Sequence, residues 1–132
     1  MTNRIITTPN APAAAPTAGG RFGYSQAVVA AGLVFVSGQG PFDPADGSIV
    51  GMNIQEQTRQ CLRNVEAILG AAGSSMQKVV SATFLLRDPY DFRGMNEEWE
   101  RWFPVDPPAR QGARHPLDSD GLRISISVIA EA

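Results

Sequence analysis

Lys78-Val79-Val80-Ser81-Ala82-Thr83-Phe84-Leu85-Leu86-Arg87 is the stretch on which the fold turns. It is rich in β-branched, aromatic and aliphatic residues and is apolar on nearly both faces, so it reads as a strand in the middle of a sheet. A helix precedes it. Asn53 is placed to cap that helix and Glu56 completes a capping box. Ile54, Cys61, Leu62, Val65, Ile68, Leu69 and Ala72 then recur at three- and four-residue steps as one buried stripe, and Gly73 is placed to end the helix in a left-handed conformation. A second helix follows the strand. Asp88-Pro89 opens it as cap and first-turn proline, Phe92, Met95, Trp99, Trp102 and Phe103 line it, and Pro104 stops it.

Further out, residues 109–114 and 122–130 read as two more strands, joined by the turn Asp118-Ser119-Asp120-Gly121. Toward the other end, residues 25–30 and 33–37 flank Ala31-Gly32 as a hairpin. Residues 38–47, with Pro41, Pro44 and Asp46-Gly47, form a turn-rich loop. Residues 4–8 make a short edge strand, and residues 9–20 (PNAPAAAPTAGG) a Pro/Ala-rich surface arm. The order β-β-β-α-β-α-β-β predicts an α+β domain over residues 1–132: a single mixed sheet with two helices on one face. The other face still carries apolar residues, Val128 and Leu85 among them, and no element is left to cover it. Burial against further copies of the chain is the economical solution.

The 132 residues suffice for one domain with a core of its own. A net charge of -2 argues against a nucleic-acid partner. The lone cysteine, Cys61, rules out an internal disulfide and points to a cytoplasmic location; it falls on the apolar stripe of the first helix, a core position. No apolar run is long enough for a membrane span, and Met1-Thr2-Asn3-Arg4 leads into no signal core. No spacing matches a zinc, P-loop or dinucleotide motif.

Arg110 is the first candidate for chemistry. It follows the rigid pair Pro107-Pro108 at the entry to a strand, where its fork of donors suits bidentate binding of a carboxylate; a surface ion pair is the plainer alternative. Arg114 lies four residues on, on the same strand face, as a second anion-binding group or as a subunit contact. Tyr24-Ser25-Gln26 and Ser37-Gly38-Gln39-Gly40 form another group, in which glycines admit a ligand to the backbone and Ser37 supplies a hydroxyl. His115 is the only histidine. The alternating run Ile124-Ser125-Ile126-Ser127-Val128-Ile129 offers serines opposite the arginine and no acid.

Together the strings Gly23-Tyr24-Ser25-Gln26-Ala27-Val28, Leu33-Val34-Phe35-Val36-Ser37-Gly38-Gln39, Glu56-Gln57-Thr58-Arg59-Gln60-Cys61-Leu62-Arg63-Asn64-Val65, Ala71-Ala72-Gly73-Ser74-Ser75 and Pro107-Pro108-Ala109-Arg110 resemble the Rid/YjgF family, the RidA-type reactive-intermediate deaminases. The resemblance spans about residues 20 to 130. It implies a chorismate-mutase-like fold, a homotrimer whose sheets form a central barrel, and sites in clefts between subunits. It also implies hydrolysis of small carboxylated enamines and imines, of the 2-aminoacrylate and 2-iminopropionate type, to a keto acid and ammonia without cofactor or metal. Carried over residue by residue, Arg110 clamps the substrate carboxylate, Tyr24 walls the pocket, Ser37 and Gly38 line it, Gly112 offers a backbone N–H, and Asn96 lies near the cleft. One position departs: Ser125 stands where RidA-type deaminases carry a glutamate that positions and polarises the attacking water. Ser127 likewise replaces a common second acid. A serine holds a water but does not exchange a proton with it near neutral pH. Two functions follow from the same arginine: a deaminase using an oriented water, with Ser125, or with His115 or Asp118 in place of the acid, and a non-catalytic or regulatory binder of small keto or amino acids.

Overall fold

The computed structural model describes residues 3–14, 23–116 and 119–132. Six strands, β1 (Arg4–Ile6), β2 (Ala27–Ala30), β3 (Leu33–Gln39), β4 (Val79–Leu86), β5 (Ala109–Arg114) and β6 (Ile124–Glu131), form one sheet in the order β1-β2-β3-β6-β4-β5. Every pairing is antiparallel except β4 with β5. Those two are parallel because the chain between them crosses over through a helix, α2 (Phe92–Trp102). A longer helix, α1 (Ile54–Ala71), precedes β4 and packs on β6, β3 and α2. The expected element order and the central position of the 78–87 stretch both hold, with β4 lying between β6 and β5.

Local chemistry accounts for the boundaries. Ala31 and Gly32 turn the β2–β3 hairpin with φ of 52° and 76°, the left-handed pair whose twist matches the flanking strands. Asn53 Oδ1 accepts the Glu56 N–H at 2.8 Å to start α1. Gly73, at φ 81°, ends it: Ser74 N–H donates to Leu69 O and Gly73 N–H to Gly70 O, a Schellman closure. Asp88 caps a 3-10 turn, Pro89–Asp91, through the Tyr90 N–H, so α2 itself begins only at Phe92.

The helices cover one sheet face. Val34, Val36, Ala82, Phe84, Leu86, Ile124, Ile126, Val128 and Ala130 are buried there against Leu62, Val65, Ile68, Leu69, Met95 and Trp99. Val128 is thus a core residue beneath the helices and not part of the open face: it pairs with Ala82 and Val36, and alternation along β6 sets its side chain on their side. The open face carries Phe35, Val80, Leu85 and Ile129, the first two exposed by 40% and 42%, next to Ser81, Thr83, Ser125 and Ser127.

Polar residues that the apolar spacing does not reveal tie the loops to this core. Gln57 donates to Gly51 O and Gly121 O and accepts the Arg123 N–H; Asn64 donates to Gly40 O and Phe42 O. Gln26 clasps the start of the Pro/Ala-rich segment, accepting the Thr8 N–H and donating to Thr8 O, Ala11 O and Pro12 O, and Ala11 joins the core. Residues 15–20 of that segment lie outside the described residues. Between the helices, Arg59 grips buried Glu98 bidentately at 3.1 and 3.2 Å, and Trp102 Nε1–H donates to the same carboxylate at 3.0 Å. Burial alone would raise the Glu98 pKa, but the hydrogen bonds from Arg59 and Trp102 outweigh it and hold the carboxyl below the usual glutamate range. Among the described residues no helix is long and apolar enough to cross a membrane.

Candidate active site

Parallel pairing sets Arg110 beside Ala82 and Gly112 beside Phe84, so both lie on the helix-covered face at the sheet's outer edge. There the Arg110 guanidinium sits over three rings, 5.0 Å from the centroid of Phe84, 5.6 Å from Phe92 and 5.1 Å from Trp99. Nη1 donates to Asn96 Oδ1 at 2.7 Å. Asn96 is neutral, and among the described residues no carboxylate lies within ion-pair distance of Arg110. Desolvation against the rings lowers its pKa, the direction expected of a cation short of counter-charge.

Gly112 makes this platform possible. A Cβ there would meet the Phe84 ring at 2.1 Å, so only glycine lets that ring lie against β5 beneath the guanidinium. Phe84 and Phe92 pack at 5.7 Å between centroids. With Leu86, Pro89, Gly112, Ala113 and Arg114 they line a hollow of about 400 Å³. The three rings are the functional residues that sequence reasoning missed. Phe92 and Trp99 read as core helix positions; Trp99 is buried, yet its ring also carries the guanidinium, and Phe92 is 44% exposed with its ring 5.6 Å from it. The signal for Phe84 is its register against β5, a non-local pairing that no local pattern encodes.

The remaining sequence candidates lie elsewhere in the chain. Tyr24 and Gly38 line a separate hollow of about 440 Å³ with Gly40, Phe42 and Asp43, and Ser37 Oγ donates to Ser25 O at 2.6 Å. Strands β6 and β4 separate this group from β5. Ser125 pairs with Leu85 and Ser127 with Thr83, on the open face. Arg110 lies on the other, so within one chain the serines do not face the arginine, contrary to the reading of the alternating run. The reason is register: β5 pairs with β4 so that Arg110 shares a face with Ala82, one residue out of phase with Leu85 and Thr83. His115 N–H donates to Leu86 O, and its side chain lines a cleft at the strand ends. Asp118 lies outside the described residues. Cys61 is fully buried, its Sγ against Ile124 O at 3.7 Å, and burial pushes its thiol pKa well up. That thiol is not poised as a nucleophile. No cluster able to hold a metal ion occurs among the described residues.

Similarity to known proteins agrees with this architecture. Residues 12–132 match the family described as Endoribonuclease L-PSP. A RutC family protein of Pyrococcus horikoshii is 44% identical over 110 residues, 81% of this chain and 85% of that protein. The goat (Capra hircus) 2-iminobutanoate/2-iminopropanoate deaminase is 38% identical over 130 residues, 98% of this chain and 90% of that one. The crystal structure of E. coli TdcF with bound serine superposes with a TM-score of 0.85 at 32% identity, over 98% of both chains. A match over nearly the whole chain, one of these relatives being an imine deaminase, establishes that this chain belongs to the Rid/YjgF (Endoribonuclease L-PSP) family.

Proposed function

We propose that this protein hydrolyses small 2-imino (or tautomeric 2-enamino) carboxylic acids to the 2-keto acid and ammonia, with Arg110 as the carboxylate anchor. The observation that carries this is a guanidinium held on three aromatic faces and one neutral amide, with no carboxylate in ion-pair distance among the described residues. Such a cation, partly stripped of water, gains most from a ligand that brings the missing charge. Asn96 fixes one edge of the fork and leaves the other nitrogens for the ligand. Arg110 then does two things for the reaction. It orients the substrate on the apolar floor of Phe84 and Phe92, and it offsets the carboxylate charge that would otherwise disfavour attack at the adjacent carbon. Water adds to the imine carbon, the C–N bond breaks, the nitrogen leaves as ammonia with the protons it gains, and C=O replaces C=N.

The second half of the site comes, on this reading, from another copy of the chain. The apolar open face and the exposed edge strand β5 favour a homotrimer with intersubunit clefts. Tyr24, Ser37, Gly38 and Ser125 of a neighbouring copy then approach Arg110, Asn96 and Gly112. Ser125 would hold the water without taking its proton, which makes this a slow deaminase toward simple substrates. Ammonia release from freshly generated 2-iminobutanoate, with and without protein, tests the proposal. Acceleration that Arg110→Ala abolishes supports it. Tight binding of 2-oxobutanoate with no acceleration would instead leave the protein a keto-acid binder.

A further inference from the structure

We infer that the substrate is a dicarboxylate: Arg110 holds the carboxylate next to the imine, and Arg114 holds a second one at the far end. The inference rests on Arg110 being the anchor and extends it to the substrate's other end. Arg110, Gly112 and Arg114 share one face of β5, in register with Ala82, Phe84 and Leu86. Gly112 presents no side chain, so the space between the two arginines is floored by the Phe84 ring and walled by Phe92, Leu86 and Pro89. Arg114 lines this apolar hollow, and Arg110 lies over Phe84 and Phe92, the rings that form its floor and wall, so a cation stands toward either end of it.

Arg114 is common to this hollow and to an adjoining cleft of about 700 Å³ at the ends of β4, β5 and β6. Backbone bonds draw those ends together: Arg87 N–H donates to Arg123 O and His115 N–H to Leu86 O. Among the described residues, three arginines (Arg87, Arg114 and Arg123) and two aspartates line the cleft with His115. Both aspartates are already engaged. Asp91 pairs with Arg123 at 3.1 Å, and Asp88 caps the turn before α2 through the Tyr90 N–H. Arg87 Nη1 donates to Ser119 O at 2.8 Å. Arg114 has no carboxylate within ion-pair distance among the described residues, the same condition that marks Arg110.

Length selects the class of ligand. Four residues of strand separate the two Cα atoms by about 13 Å, an upper bound for guanidinia that stand parallel, since Arg110 leans over Phe84. A bidentate pair puts each carboxylate carbon about 4 Å from its guanidinium carbon. That leaves roughly 4–5 Å between the carboxylate carbons, the span of an extended four- or five-carbon diacid. The substrates that fit are therefore the 2-imino derivatives of short dicarboxylic acids, whose methylene groups rest on the Phe84 ring.

Stable keto acids serve as probes. Calorimetric titration of the intact protein at fixed ionic strength, with 2-oxobutanoate and then 2-oxoglutarate, should show the diacid binding about tenfold more tightly, the scale of one added charge-assisted pair. Arg114→Ala should collapse that ratio to near one, and Arg114→Glu should invert it. Arg63→Ala, an equal charge change on an exposed position of α1, should leave the ratio as it is; its loss there would mean general attraction and overturn the inference. A wild-type ratio near one, or a ratio that survives Arg114→Ala, also overturns it while leaving the monoacid reading intact. The anchor reading itself fails, and this inference with it, if Arg110→Lys leaves the affinity for both keto acids unchanged.

Discussion

Glu98 and Trp99 are neighbours on α2, and each meets an arginine. On one side, Arg59 reaches from α1 to the Glu98 carboxylate, which is also hydrogen-bonded by Trp102 and all but buried. On the other, Arg110 reaches from β5 across the Trp99 ring and finds only Asn96 Oδ1. The first arginine has its counter-charge within the fold; the second has none among the described residues. A charge that the fold itself neutralises is part of the structure, whereas one held against apolar rings without an anion is available to a ligand. Both sit at the same helix, so the difference is one of partners and not of location.

The contrast breaks most visibly at Glu98. Glu98→Ala should cost about 3–5 kcal/mol, because it orphans the Trp102 N–H and the Arg59 fork at the α1–α2 contact. Chemical denaturation at neutral pH measures it. The folded-state pKa of Glu98 is depressed, so its contribution is fully present above the unfolded glutamate value and is lost as pH falls through the folded one. The gap between wild type and Glu98→Ala should accordingly close on acidification. A gap that is constant with pH would mean that the carboxylate's charge contributes nothing.

Arg110 should behave in the opposite manner. Arg110→Ala should cost about 1–2 kcal/mol of unfolding stability, for the lost ring contacts and the Asn96 hydrogen bond but no ion pair among the described residues, yet cost about 2–4 kcal/mol in keto-acid affinity. Arg110→Lys should fall between the two in affinity, as charge survives but the fork does not. If Arg110→Ala instead unfolds the protein as readily as Glu98→Ala, the two arginines are alike and the distinction between them collapses.

How much of this was legible in the sequence follows the range of the interactions. The cap at Asn53, the Gly73 stop, the Ala31-Gly32 turn and the buried stripe of α1 depend on residues within a few positions of one another, and all are found; Asp88 also caps, but a 3-10 turn ahead of α2 and not the helix itself. Arg110 stood out because Pro107-Pro108 fixes its approach to the strand. The aromatic seat beneath it was hidden, since it needs β5 to pair in parallel with β4 after a helical crossover, in one register of the several possible. Two face assignments went astray for the same reason. Alternation places Val128 on the open face, where the structure has it in the core, and it sets Ser125 opposite Arg110, which within one chain it is not. Alternation tells which residues share a face, but not which face the helices cover.

Gly112→Ala sharpens the comparison by disturbing the seat and not the charge. The new Cβ falls at 2.1 Å from the Phe84 ring, so the ring must tilt and carry the guanidinium with it. Stability should drop by about 1–3 kcal/mol, as for overpacking elsewhere in a core. Keto-acid affinity should fall as well, although Arg110 and Asn96 are untouched. Restored packing in Gly112→Ala/Phe84→Leu with affinity still low would separate the ring's part in holding the cation from its part in filling space.

The smallest effect concerns Thr58, next to Arg59 on α1. Its Oγ1 is buried and has no hydrogen-bond partner among the described residues. Arg110 also has no anion among the described residues, but it lies over Phe84 and Phe92, which line a hollow that a ligand can enter, whereas Thr58 is fully enclosed and lines none of the clefts described above. An unsatisfied group in a closed core is a cost with no function to set against it. Thr58→Val keeps the branched shape, removes the hydroxyl, and should raise stability by up to about 1 kcal/mol without changing keto-acid affinity. A rise in melting temperature of a few degrees at constant affinity is the expected result. A loss of stability would show that the hydroxyl is engaged after all, and an altered affinity would mean that being unpartnered inside the core and being unpartnered at the cleft are not separable in this fold.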